Sequence, residues 1–136
     1  MLMMPMAAMA QKEDDIKQLI ATYSTKSDCT TIELSKEMLR SMGAGNGVDK
    51  LSVISVEDTL LIADFEKQVE EITTTLDTVM SVSYEGKHVR IYGYTPKGGS
   101  TTTEMIIFTI DNESAVMVWV SGSDVQLSNM TDIIQL

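Results

Sequence analysis

Apolar positions step by three and four along the first half of this chain and by two along the second. Ile16, Leu19, Ile20 and Tyr23 fall on one helical face and predict an amphipathic helix over residues 13–23, its acids in the first turn where the helix dipole favours them. Thr30 to Leu34 reads as a short strand. Ser35 then caps a brief helix from Lys36 to Met42, stopped by Gly43. After the loop 43–47, Leu51 to Val56 reads as a second strand. Ile62, Phe65, Val69, Ile72 and Leu76 predict the chain's strongest helix, Leu60 to Thr75, with Asp64, Lys67, Glu70 and Glu71 off the stripe.

From Thr78 onward alternation takes over. A two-residue turn at Glu85-Gly86 sets the register of a hairpin: Tyr84 faces Lys87, Val82 faces Val89, and Met80 faces Ile91, all on one apolar face. The opposite face then carries Ser81, Ser83, His88, Arg90, Tyr92 and Tyr94. It is too polar for core and is expected at the surface. After the loop 96–100, Thr101 to Ile110 pairs across a tip at Asn112-Glu113, setting Phe108 opposite Met117, Ile106 opposite Trp119, Ile107 opposite Val118 and Thr109 opposite Val116. Both faces of this second hairpin are apolar, which requires cover on both sides. Ser121-Gly122-Ser123 leads into a last short helix capped by Ser128, with Leu127, Met130, Ile133 and Ile134 apolar. The expected fold is therefore α+β: a mostly antiparallel sheet of five to six strands packed with three to four helices, in the order α-β-α-β-α-β-β-β-β-α.

Residues 1–10, MLMMPMAAMA, form an uncharged apolar run ending in small residues just ahead of Lys12, Glu13 and Asp14. This is the pattern of the back half of a signal peptide, with cleavage after Ala10 and the basic opening residues missing before Met1. The expected organisation is a partial signal peptide over 1–10 and a single domain over 11–136, periplasmic or secreted. Ten residues fall short of the roughly 20 that a membrane-crossing helix needs, and the longest later apolar run, Ala115 to Val120, is strand-sized. No transmembrane segment is expected. A lipid anchor would require Cys directly after the small residues, where Gln11 stands, so none is expected either.

The net charge of −10 repels phosphate backbones and anionic lipid, which argues against nucleic-acid partners. One cysteine, Cys29, precludes an internal disulfide, and with His88 the only histidine it reads as structural rather than nucleophilic. The chain lacks the GxSxG, HExxH and spaced Cys/His patterns of hydrolases and metal sites, and no cofactor or metal is expected. The acid pairs Asp14-Asp15, Glu57-Asp58 and Glu70-Glu71 would serve glycoside chemistry only if two acids met across a cleft.

The segment Ile32-Glu33-Leu34-Ser35-Lys36-Glu37-Met38-Leu39-Arg40-Ser41-Met42, after an acidic first helix, resembles the strand-to-helix signature of a family of small exported Gram-negative proteins catalogued as domain of unknown function 4252. The close, Ser121-Gly122 followed by Leu127, Met130 and Ile133, is similar to that family's. The resemblance implies an exported or lipid-anchored α+β domain without assigned activity, in places encoded beside sigma-factor genes, and brings no catalytic residues. Gln11 departs from its lipid-anchored members.

The functional expectation is a non-enzymatic envelope module that binds a protein or peptide through His88, Arg90, Tyr92 and Tyr94, since exposed aromatics beside Arg dominate interface energetics. The alternative is a hydrolase-type enzyme whose dispersed site leaves no motif.

Overall fold

The computed structural model describes residues 4–41, 47–96, 98–99 and 101–125, with side chains from residue 14 onward. Among the described residues three helices and six strands follow in the expected order: α1 (Met4–Ser24), β1 (Cys29–Leu34), α2 (Lys36–Ser41), β2 (Lys50–Val56), α3 (Thr59–Thr73), β3 (Asp77–Tyr84), β4 (Lys87–Tyr94), β5 (Glu104–Ile110) and β6 (Ala115–Ser121). The chain is α+β, and its strands form one antiparallel sheet in the order β1-β2-β6-β5-β4-β3. The expected C-terminal helix over Leu127 to Ile134, and most of the loop 43–47, lie outside the described residues.

Helix α1 begins at Met4, well before the expected residue 13. Ala and Met are strong helix formers, and Pro5 sits in the first turn, where a missing N–H leaves no bond unmade. An apolar leader forms the same local structure, so the longer helix bears on conformation rather than on export. Helix α3 matches its expected stripe: Ile62, Phe65 and Val69 are buried, and Leu76 is buried just beyond its end. Its start is fixed by Asp58, whose carboxylate accepts a hydrogen bond from the Leu60 amide at 3.0 Å. Ser35 opens α2 as expected, its hydroxyl accepting from the Met38 amide at 3.4 Å.

The sheet has two differently built faces. On the first, α1 and α3 pack over β2, β6 and β5, where Ile54, Ile106, Phe108, Met117 and Trp119 are buried. The rings of Tyr23, Phe65 and Phe108 meet edge-to-face there, with centroids 5.0 and 5.9 Å apart. On the second face, Leu39 of α2 joins Leu51, Met105, Ile107, Val118 and Val120, with Val48 and Val125 closing the end. Backbones cross closely at that end: the Asp124 amide donates to the Gly47 carbonyl at 3.1 Å. A Cβ at Gly122 would collide with the same carbonyl, so the position requires glycine.

Both expected registers are present pair for pair. Glu85 and Gly86 have φ of 49° and 81°, the left-handed pair of a two-residue hairpin turn. The second hairpin is buried on both faces, as its composition demands. The first corrects one expectation. Its polar face is the one α3 lies beside, while the apolar face of Met80, Val82 and Tyr84 is 42, 41 and 53 % exposed. A hairpin's own pattern says which residues share a face; only the rest of the chain decides which face is covered.

Candidate functional site

Alternation along β4 places His88, Arg90, Tyr92 and Tyr94 on one sheet face, opposite Ile110, Phe108, Ile106 and Glu104 of β5. They do not form the open surface expected of them. Tyr92 and Tyr94 are half-buried against the α1–α3 core. Arg90 reaches up to α3, one guanidinium nitrogen 3.5 Å from Glu66 and the other 3.4 Å from Glu70. Those two acids, one helical turn apart, flank the buried stripe of α3 on the side of β4. Sequence reading missed them as partners, although their spacing of four on one helix flank is the signal by which they could be found.

His88 remains exposed at the end of the row, its Nδ1 2.6 Å from the Ser83 hydroxyl across the hairpin. Next to it opens a groove of about 390 Å³ between the first half of α3 and the β3–β4 and β5–β6 turns, lined among others by Thr59, Glu66, His88, Arg90, Asp111 and Asn112. The Asp111 carboxylate accepts the amides of Glu113 and Ser114, both at 2.8 Å, and the Ser114 hydroxyl at 3.4 Å. These bonds, the Glu113 amide first, hold its pKa below the usual carboxylate value. The groove thus presents fixed negative charge at Asp111, a guanidinium already engaged by two glutamates, and a free imidazole edge.

A second cleft, about 270 Å³, separates α1 from α3 and is lined by Asp15, Gln18, Thr22, Gln68 and Glu71 among others. It brings acids from two of the sequence pairs, Asp14-Asp15 and Glu70-Glu71, to one groove. At its inner end Gln68 donates to Asp64 at 2.8 Å and to the Tyr23 hydroxyl at 3.4 Å. Burial, followed by the negative charge of Asp64, pushes the Tyr23 phenol up to about 12. That keeps it a neutral packing group at physiological pH.

Cys29 is half-buried against the same core, its thiol pushed up first by burial and then by Asp58. A raised pKa disfavours the nucleophilic thiolate, in line with a structural role. Among the described residues, no three His, Cys, Asp or Glu side chains converge as metal ligands. One buried polar pair had no sequence signal: the Trp119 indole donates to Glu104 at 3.0 Å beneath the helices. In the described residues no helix is long and apolar enough to cross a membrane.

The family model described as "Domain of unknown function (DUF4252)" matches residues 2–133, nearly the full length. The chain belongs to this family. No curated protein matches it. The strand-to-helix segment that carried the resemblance is β1 with α2, which pins Leu39 onto the second sheet face, and the closing Ser121-Gly122 is where the chain passes Gly47. Both DUF4252 features are thus packing devices at one end of the sheet, and neither lines the groove beside His88.

Proposed function

We propose that this DUF4252 chain is an exported, non-enzymatic envelope module that binds a protein or peptide in the groove beside His88 and Arg90. One observation carries the reading: the groove is open, holds groups of both charge signs and ends in exposed His88 and Asn112, which suits a polar extended segment better than an apolar small molecule. Export rests on the apolar run before Ala8-Met9-Ala10. Tyr92 and Tyr94 pack against the α1–α3 core farther along β4 and lie outside this groove.

The test is affinity capture from periplasmic extract with the wild-type chain and with His88→Ala/Asn112→Ala, two exposed sites whose truncation leaves the core intact. Loss of two contacts near a binding centre should weaken capture about tenfold or more, at about 1.4 kcal/mol per decade. Equal capture by both chains contradicts the site. For export, mass spectrometry of the secreted form should find Gln11 as the first residue.

A second reading is favoured by one contact, Ser83 to His88 at 2.6 Å, which is a nucleophile–base distance. It would make the chain a hydrolase. Labelling of Ser83 by a fluorophosphonate probe, abolished in Ser83→Ala, would establish it. The other imidazole nitrogen has no hydrogen-bond partner among the described residues, and a general base needs one to hold its orientation.

A further inference from the structure

Among the described residues strand β3 is an edge of the sheet, and all of its residues are exposed. Edge strands in natural proteins are protected by charge, proline or cover, because a row of unpaired amides and carbonyls is a template for another strand. From Thr78 to Tyr84 this strand carries no charge and no proline, in a chain of net charge −10. The other edge, β1, differs in carrying the exposed carboxylate of Glu33. Only a bulge between Thr78 and Met80 interrupts β3, which leaves Met80 to Tyr84 as a regular open edge.

The direction of the free backbone groups follows from the turn. Glu85-Gly86 closes the hairpin, so the Tyr84 carbonyl accepts from the Lys87 amide, and Tyr84, Val82 and Met80 turn their main-chain groups toward β4. Ser81 and Ser83 therefore point theirs outward. A second β3 laid antiparallel on this edge has one register that satisfies both strands: Ser81 opposite Ser83 of the second copy, each pair exchanging both hydrogen bonds, around Val82 opposite Val82. That register also sets Met80 against Tyr84. All the apolar side chains then meet on the open sheet face, and all the serines meet on the other.

We propose that β3 is a self-pairing edge, by which two copies of this chain join their sheets about a two-fold axis through Val82. A second copy is the occupant because the pattern is palindromic about Val82, apolar on apolar and serine on serine, and because the seam is an uncharged stretch where two strongly acidic molecules can approach. Asp77 of one copy and Glu85 of the other come to the same end of the seam, just outside it. Their repulsion, and that of the two net charges, is screened by salt, so association tightens as ionic strength rises. The surface is separate from the groove beside His88 and stands independently of it.

Sedimentation equilibrium of the whole chain should show a monomer–dimer equilibrium in the micromolar range that tightens with added salt. Val82→Lys sets like charges face to face on the axis and should weaken dimerisation about tenfold or more, since directly opposed like charges destabilise a strand pair. Should that variant fold poorly, cysteine cross-linking decides the question in the Cys29→Ser background. Val82→Cys should form a disulfide between copies, whereas Tyr84→Cys, facing Met80, should not. A wild-type chain that stays monomeric at every concentration overturns the proposal. So does a dimer that persists in Val82→Lys, weakens with salt, or cross-links through position 84 rather than 82.

Discussion

The two hairpins of this sheet, β3–β4 and β5–β6, are written in the same alternating code and folded in registers equally plain from sequence, yet they occupy opposite environments. Nearly all of β5 and β6 is buried, on both faces, while β3 is exposed from end to end. The reason lies outside either hairpin. Helices α1 and α3 pack over β2, β5 and β6, and α2 closes part of the other face. At β4 the helix layer ends at Arg90, held by Glu66 and Glu70, and β3 lies beyond it. Alternation specifies a face; burial is conferred by what the rest of the chain lays upon it.

This contrast can be broken most forcefully at the helix that makes it. Phe65→Ala removes the ring between Tyr23 and Phe108 and should cost about 3 to 5 kcal/mol, as large-to-small core changes do, whereas Val82→Ala should cost under about 1 kcal/mol. Urea denaturation of both variants gives the comparison, and equal midpoints would break it.

The alkaline limb sharpens the buried side. The Tyr23 phenol is raised in the folded chain, to about 12, above its ordinary value of 10.0. Its stabilising effect is therefore complete below pH 10 and is lost as pH rises through the folded value. Stability should fall by about 2 to 3 kcal/mol between about pH 10 and pH 12, because a tenfold change in proton affinity between the folded and unfolded chain is worth about 1.4 kcal/mol, and Tyr23→Phe should remove that slope. Chemical denaturation at a series of alkaline pH values measures it.

The boundary between the two environments is marked by Arg90. Its ion pairs are partly solvated, so Arg90→Ala should cost about 1 kcal/mol, with a smaller loss at high salt. Thermal melts at low and high ionic strength would show it. Smallest of all, His88→Ala should leave stability within about 0.5 kcal/mol of wild type, as exposed substitutions do.

Most of the fold was legible in the sequence because its signals are local. The stripe of α3, the turn at Glu85-Gly86 and the doubly apolar β5–β6 strands each carry their own explanation. The family likewise showed in β1, α2 and the Ser121-Gly122 close. The candidate site was half legible. Alternation puts His88, Arg90, Tyr92 and Tyr94 on one face, but polarity alone reads as exposure, and the helix acids Glu66 and Glu70 that make an arginine tolerable there come from twenty or more residues away. Glu104 meets the Trp119 indole only because β5 pairs with β6, whereas Asp111 bonds locally, to the amides of the turn it opens.

One measurement bears most directly on the difference between the hairpins. Val82 and Val118 sit on the same sheet face, one in each hairpin, and lysine is placed at each in turn. Denaturation is followed at protein concentrations low enough that self-pairing does not contribute. Val118→Lys should lose about 3 kcal/mol or more or fail to fold, because it forces a charge into the core, and Val82→Lys should stay within about 0.5 kcal/mol of wild type. Comparable losses at the two positions would mean that β3–β4 is covered like β5–β6, and that the open face described for it is wrong.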